Sequence, residues 1–429
     1  MQQRPRVLIV GGGFAGLYAA QRLRKAAVDI TLIDRRNFHL FQPLLYQVAT
    51  GGLSPANIAA PLRAILKKQL NTRVLLGHVT GVDASNKALL LDQDRLEYDF
   101  LLVATGARHH YFGNHHWENS APGLKTVEDA VDMRRRILLA FEEAERTTDL
   151  EHRKALMTFV VIGAGPTGVE LAGALGELAE HTLRGNFRSI DPSNVKVLLL
   201  EGADRVLPGF VPVLSGKAAK SLARLGVTVQ TGAHVTDLSD ESVTYKLGPK
   251  EERVAARTIL WAAGVAASPL AAELARATGA KLDRAGRIFV EPDLSLTGHP
   301  EILAMGDMVH YVGPNGQPLP GVAQVAMQQG SYAADTILAR LAGKTLAPLR
   351  YHDKGSLAVI GRSSAVADLG WFKFGGMLAW MAWLLIHLMY LIAFSNRLLV
   401  MTQWASSYFT RNRSARLITG ESNVPPSVT

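Results

Sequence analysis

The sequence predicts an α/β fold made of two copies of one parallel strand–turn–helix unit, the second inserted into the first, with helices appended at the C-terminus. Three observations predict it. An apolar run ending in a glycine-rich turn occurs twice: Val7-Leu8-Ile9-Val10 before Gly11-Gly12-Gly13-Phe14-Ala15-Gly16, and Phe159-Val160-Val161-Ile162 before Gly163-Ala164-Gly165-Pro166-Thr167-Gly168. Each turn opens a helical pattern and is followed by a second apolar run ending in an acid, 30–33 before Asp34-Arg35 and 195–200 before Glu201. Residues 375–394 are free of Asp, Glu, Lys and Arg.

At 429 residues the chain exceeds one ordinary core, so two domains and an appendage are expected, and 48% hydrophobic residues exclude wholesale disorder. There is no cysteine. Disulfides, redox dithiols, thiolate nucleophiles and cysteine-ligated zinc or iron–sulfur centres are therefore excluded, and any electron transfer needs an organic cofactor. The start Met-Gln-Gln-Arg-Pro-Arg leads directly into the first apolar run, which predicts a cytoplasmic N-terminus. Net charge is +9, and from residue 346 onward eight basic side chains face three acidic ones. Such a tail suits nucleic acid or an anionic membrane, and the apolar neighbours favour the membrane, with no nucleic acid.

The two turns predict two Rossmann-like dinucleotide-binding domains. The first glycine permits the bend, the second lets backbone approach a pyrophosphate, and the third lets helix pack on strand, while the helix N-terminus offers free N–H groups to phosphate. Asp34 and Glu201 suit ribose hydroxyls, and a carboxylate at Glu201 repels a 2′-phosphate, so the second site should prefer NADH to NADPH. Arg205 weakens that preference slightly. Glu201 lies farther beyond its last glycine than the usual spacing of about 20 residues. The excess reads as loop insertion at 184–187 and 191–194; the alternative is that Glu201 is a surface strand end. A further run, 98–103, turns at Ala104-Thr105-Gly106, and an echo, 258–263, ends at Gly264. The runs 286–290 and 302–305, the latter before Gly306-Asp307, return to the first domain. The expected division is 1–125 and 279–345 for the first domain, 126–156 for a helical crossing, 157–278 for the second domain and 346–429 for the C-terminal region.

Asp307 resembles the acid that holds the FAD ribityl chain in two-dinucleotide flavoproteins, which puts FAD on the first copy and NADH on the second. From end to end the chain is similar to type II NADH:quinone oxidoreductases, the single-subunit, non-proton-pumping NADH dehydrogenases. The resemblance rests on both glycine turns, Phe41-Gln42-Pro43-Leu44-Leu45-Tyr46, Ala104-Thr105-Gly106-Ala107, Glu170, Gly306-Asp307 and Ala323-Gln324-Val325-Ala326-Met327-Gln328. It implies a respiratory enzyme passing a hydride from NADH to FAD and then two electrons to a quinone. Gln324 and Gln328 would shape the quinone pocket, with Ala323 and Gln324 at the flavin, and Glu170 would face the nicotinamide as proton relay or gate. Without the resemblance, helix-surface positions are the lesser alternative for both glutamines. The glycine turns are shared with disulfide and ferredoxin reductases, so a soluble ferredoxin or rubredoxin reductase is the alternative, and a flavin-bound scaffold or redox sensor the non-enzymatic one. The missing cysteines set the chain apart from disulfide reductases and sulfide:quinone oxidoreductases.

By length, 375–394 qualifies as a membrane span. Beyond it, Leu398, Met401, Trp404, Ala405, Tyr408 and Phe409 are expected on one helix face and Thr402, Gln403, Ser406, Ser407 and Thr410 on the other, an amphipathic helix lying in the interface, with Arg411, Arg413 and Arg416 meeting anionic lipid. The resembled family is monotopic, which implies peripheral attachment at the cytoplasmic face of the inner (plasma) membrane; a spanning helix and a homodimer contact stay open. His387 is given no role. The cluster His109, His110, His115 and His116 lies in a Gly/Asn-containing loop with no cysteine partner, so no metal is expected.

Overall fold

The computed structural model describes residues 4–92, 94–313, 316–392 and 394–420. Contacts divide the chain into two compact units. The first contains the residues up to Leu40, Ala59–Arg108 and Val265–Lys354; the second contains Phe41–Ile58, His109–Gly264 and the chain from Gly355.

In the first unit, the apolar runs become a six-stranded sheet ordered Ser295–Leu296, His299–Ala304, Phe100–Val103, Arg6–Val10, Asp29–Asp34, Thr72–Leu76. All pairings are parallel except the Ser295–Leu296 edge. Strands buried on both faces need continuous apolar sequence, which is why Val7, Ile9, Leu101 and Leu102 are fully buried. The helix Phe14–Arg22 packs against Ala323–Leu341. Their approach is so close that a Cβ added at Gly330 would sit 2.1 Å from the Ala15 carbonyl oxygen.

The second unit repeats the plan on a smaller scale: a parallel sheet ordered Val227–Thr231, Lys196–Glu201, Thr158–Ile162, Thr258–Trp261. The crossing 126–156 forms the helix Val127–Arg146, started by a reciprocal capping box between Thr126 and Asp129, followed by Leu150–Leu156. The excess length before Glu201 is partly helical. Pro166–Glu177 runs on into a π-type turn, Leu178–Thr182, before the loop begins.

The division differs from the expected one in several places, the first being that residues 109–125 fall in the second unit. The chain rejoins the first unit at Val265, because the Ser268 N–H donates to the Gly106 carbonyl and the helix Leu270–Thr278 packs on the strand Val79–Asp83. The segment Phe41–Ile58 packs with the second unit. So does the C-terminal region from Gly355, whose strands Ser356–Gly361, Ser364–Asp368 and Lys373–Gly376 form an antiparallel sheet lying on the Pro166–Glu177 helix. Gly173 permits that seat: a Cβ there would meet the Ile360 carbonyl oxygen at 1.8 Å.

The apolar stretch 375–394 is broken into Met377–Tyr390 and the start of Phe394–Thr410. The first helix has 14 residues, roughly 21 Å against a hydrocarbon thickness of about 30 Å. Among the described residues, no helix is long and apolar enough to cross a membrane.

Because Gly330 has no room for a side chain, Gly330→Val is expected to destabilise the first unit by about 1–3 kcal/mol through overpacking. Thermal melting checks this, and an unchanged melting temperature contradicts the tight helix contact.

Candidate functional site

The two glycine turns are geometric twins. Gly11 and Gly163 have φ +103° and +96°, the left-handed region that glycine alone enters at no steric cost. A Cβ at Gly11 would lie 2.4 Å from the Ala104 oxygen, and one at Gly163 2.8 Å from the Ala263 backbone. At the third glycines, a Cβ would lie 1.9 Å (Gly16) and 1.8 Å (Gly168) from the carbonyl oxygens of Gly11 and Gly163. The second glycines behave oppositely. Added Cβ atoms at Gly13 and Gly165 meet nothing within 4 Å. These are the N-cap positions of Phe14–Arg22 and Pro166–Glu177, and no side chain caps either helix. Backbone is thus bared at the mouth of each turn, where helix N–H groups and dipole favour an anion, and the residues fit a dinucleotide pyrophosphate in both units. Phe14 and Ala15 form the first turn of their helix, and Ala15 is buried.

The acids complete the match. Asp34 accepts from the Gly12 N–H at 2.6 Å and from the Arg36 N–H at 2.7 Å. Glu201 accepts from the Ala164 N–H at 2.5 Å and from the Ala203 N–H at 2.8 Å. Each carboxylate is aimed at its turn by the same two backbone donors, one in the turn and one two residues downstream, so Glu201 is built in as Asp34 is and is not an idle strand end. Arg35 points to solvent. Arg205 is held by the Asp204 carboxylate at 3.2 Å to both oxygens and by the Pro208 carbonyl. One residue of this site escaped sequence reasoning. His39, 1% exposed, sets Nδ1 2.9 Å from the Gly12 carbonyl and its ring edge against Phe14, and burial lowers its pKa.

Ala104 continues the Phe100–Val103 strand, its N–H donating to Val10. The Thr105 hydroxyl donates to the Met308 sulfur at 3.3 Å. Gly106 has φ +69° and open space around it, whereas Gly264 faces the Phe112 ring, which an added Cβ would meet at 2.8 Å. Gly306, φ +80°, starts the 3₁₀ turn that carries Asp307, and its N–H donates to Gln329 Oε1 at 2.7 Å. Gln329, 1% exposed, is a second missed residue. Its signal was the third glutamine of the run, one position after Gln328.

Gln324 and Gln328 occupy the first turns of Ala323–Leu341. Gln328 accepts from the His352 N–H and donates to the His352 carbonyl, both at 2.9 Å. Gln324 accepts from the Lys354 N–H at 3.0 Å and donates to Asp353 at 3.4 Å. The two glutamines thus clamp the backbone of 352–354.

Glu170 lies on Pro166–Glu177 in the second unit, buried. Burial pushes its carboxyl up to about 8, against a weak opposing hydrogen bond from the Val359 N–H at 3.4 Å. Next to it in the electrostatic sense is Tyr46, whose phenol is driven up by burial and then by the Glu170 charge.

The C-terminal helices correct the expected faces. Trp404 and Tyr408 turn toward protein: Trp404 donates to Gln47 at 2.7 Å and packs on Trp383, and Tyr408 packs on Trp380 beneath the Arg362 guanidinium. Exposed instead are Met377, Leu378, Met381, Leu385, Met389, Leu398, Leu399, Met401 and Phe409. Of the tail arginines, Arg413 turns inward, whereas Arg411 stays exposed. Arg413 pairs with Glu177 at 3.1 Å with its side chain only 10% exposed, and Arg411 contacts His181. His387 stacks on Trp383 and bonds its carbonyl at 2.7 Å, with its pKa lowered by burial to about 4. His109 finds an acid that sequence distance hid, Asp129 at 3.1 Å. No group of three or more such side chains is placed to hold a metal among the described residues.

Twin dinucleotide turns with matched acids define a two-dinucleotide oxidoreductase. Residues 5–330 match the pyridine nucleotide-disulphide oxidoreductase family and 353–412 the NDH2 C-terminal domain. The chain is 47% identical over 427 residues to the type II NADH:quinone oxidoreductase Ndh of Mycobacterium tuberculosis, covering 98% of this chain and 91% of that one. It is 29% identical to the corresponding protein of Staphylococcus haemolyticus, covering 85% and 90%. Among solved structures, that of NDH2 from Plasmodium falciparum in complex with NADH superposes with a TM-score of 0.89 at 20% identity, covering 96% of this chain and 100% of that one. A sulfide:quinone oxidoreductase from Aquifex aeolicus gives 0.71 at 17% identity, covering 96% and 92%. The chain belongs to the type II NADH:quinone oxidoreductases.

A carboxyl with a folded value near 8 and an unfolded value near the usual 4.3 binds an extra proton in the native state between those limits. Its contribution to stability is full below about pH 4 and is lost as pH rises through about 8. Glu170→Gln, which imitates the protonated form, should melt increasingly above wild type as pH goes from 5 to 8. A pH-independent difference in melting temperature would show that Glu170 is ionised at neutral pH.

Proposed function

We propose that the chain oxidises NADH and reduces a membrane quinone by way of FAD, without pumping protons. The observation that carries this is the duplicated turn in which a positive-φ glycine, a bared helix N-terminus and an acid aligned by two backbone N–H groups recur in both units. Bound FAD would supply hydride acceptance from the nicotinamide and electron delivery to the quinone.

The chain's own residues bind and orient. In the first unit, Gly11, Gly13 and Gly16 cradle the FAD pyrophosphate, Asp34 takes the ribose hydroxyls, Ala104, Thr105 and Gly106 border the site, and Gly306 and Asp307 receive the ribityl end. In the second, Gly163, Gly165 and Gly168 seat the NADH pyrophosphate and Glu201 its ribose. A 2′-phosphate would meet the Glu201 charge, and Arg205, already spent on Asp204, cannot offset it. Gln324 and Gln328 act on the quinone site by fixing the 352–354 strap. Quinone reduction takes two electrons and two protons, one of which accompanies the hydride equivalent of NADH. At pH 7 Glu170 holds a proton on its buried carboxyl and can lend it. With no thiol in the chain, the disulfide chemistry of the wider family is excluded.

The C-terminal helices supply the attachment. Met381, Leu385 and Met389 recur every four residues on the outer side of Met377–Tyr390, opposite buried Ala379 and Trp383, and Leu398, Leu399, Met401 and Phe409 extend the apolar set on the next helix. A face this apolar on a helix too short to span lies in the interface. We place the protein peripherally on the cytoplasmic face of the membrane.

Purified protein is expected to show a flavin absorption band that bleaches with NADH and recovers on adding a short-chain quinone but not a ferredoxin. Glu201→Ala should raise KM for NADH roughly tenfold, the loss of one or two charge-assisted hydrogen bonds, and narrow the preference over NADPH. A colourless protein that takes up no flavin overturns the assignment. Separately, Leu385→Glu with Phe409→Glu should cut sedimentation with anionic vesicles by more than tenfold while leaving NADH oxidation by ferricyanide intact; retention of vesicle binding would remove these helices as the anchor.

A further inference from the structure

Tyr46, Gln47 and Trp404 form a chain of hydrogen bonds with a single permitted direction. The Trp404 indole N–H has no lone pair to offer, so the Gln47 atom 2.7 Å from it is the carbonyl oxygen. That choice turns the Gln47 NH₂ group toward the Tyr46 hydroxyl oxygen, 2.9 Å away. The tyrosine oxygen is consequently an acceptor on this side, and its proton is directed elsewhere. Tyr46 is buried on the short helix Leu45–Ala49, which packs against Pro166–Glu177, the helix that carries Glu170 and Glu177. The remaining charged group in its field, Arg413, is bound to Glu177 and to the Thr50 carbonyl. The proton of Tyr46 is therefore left for a partner other than Gln47, and the helix packed beside it is the one that carries Glu170 and Glu177.

We infer that Gln47 is a positioning residue for quinone reduction: held by the indole of the C-terminal helix Phe394–Thr410, it orients Tyr46 as a hydrogen-bond donor toward the Glu170 side of the site. The same three residues tie the helix Phe394–Thr410 to the helix Leu45–Ala49, so seating of the former sets the direction of the tyrosine. This rests on the proposed role of Glu170 in the reaction.

The test separates direction from packing. Gln47→Glu keeps the shape and still accepts from Trp404, but can only accept from Tyr46, so it reverses the tyrosine. Trp404→Phe keeps the ring and removes the donor. Kinetics with NADH and a short-chain quinone should show kcat lowered about fivefold or more for Gln47→Glu and by a smaller factor for Trp404→Phe. KM for NADH and the ferricyanide rate should be unchanged, and melting temperatures should lie close to wild type. Gln47→Glu with quinone kcat within twofold of wild type overturns the inference, as does an equal fall in quinone and ferricyanide rates. Glu170→Gln is run alongside. If it alone leaves quinone turnover unchanged, the Glu170 reading fails; if it slows turnover while Gln47→Glu does not, the directional chain fails.

Discussion

Everything in both units depends on how tightly a strand can turn into a helix. At each turn the backbone of the next strand passes within van der Waals contact of the first glycine, and the carbonyl of that glycine touches the third. A side chain at either place has nowhere to go. The result is a helix N-terminus fixed at the end of a parallel strand with its N–H groups outward, the position at which α/β sheets bind phosphate. The acids at the ends of the neighbouring strands, Asp34 and Glu201, are then held by backbone donors and need no partner side chain. Two cofactor-sized sites follow from one local constraint used twice.

Much of this was legible in the sequence because it is local. Glycine spacing, apolar runs and terminal acids lie within short windows, and they located both sheets and both turns. What was not legible depends on distance. His39 and Gln329 support the turns from β and helical segments that give no periodic signal, and only burial shows what they do. The glutamines at 324 and 328 stood out in the sequence, but their grip on 352–354 joins residues more than twenty apart. Helical spacing showed that the last helix is two-faced; it could not say which aromatic residues face protein, because Trp404 and Tyr408 are chosen by partners at Gln47, Trp380, Trp383 and Arg362.

The C-terminal region is part of the second unit's core as well as its candidate anchor. Gly173 admits the Ile360 carbonyl, and Glu177 on the same helix binds both the Arg362 N–H and the Arg413 guanidinium. Arg134 in turn donates to the Ala415 carbonyl. Burying Arg413 is tolerable only while Glu177 remains opposite it, since an unpaired buried charge is strongly destabilising. Charge counted as a basic tail in the sequence is thus in part internal, and the exposed side of the C-terminal helices carries many apolar side chains.

The strand order also governs assembly. His299–Ala304 lies beside Phe100–Val103 in the first unit's sheet, whereas the second unit's sheet needs only residues between Thr158 and Trp261. As the chain emerges from the ribosome, the inserted sheet can therefore close first, while the edge of Phe100–Val103 waits for a neighbour about two hundred residues downstream. An N-terminal sheet completed after the one inserted in it leaves a parallel, apolar edge open during synthesis, the kind of intermediate on which chaperones act.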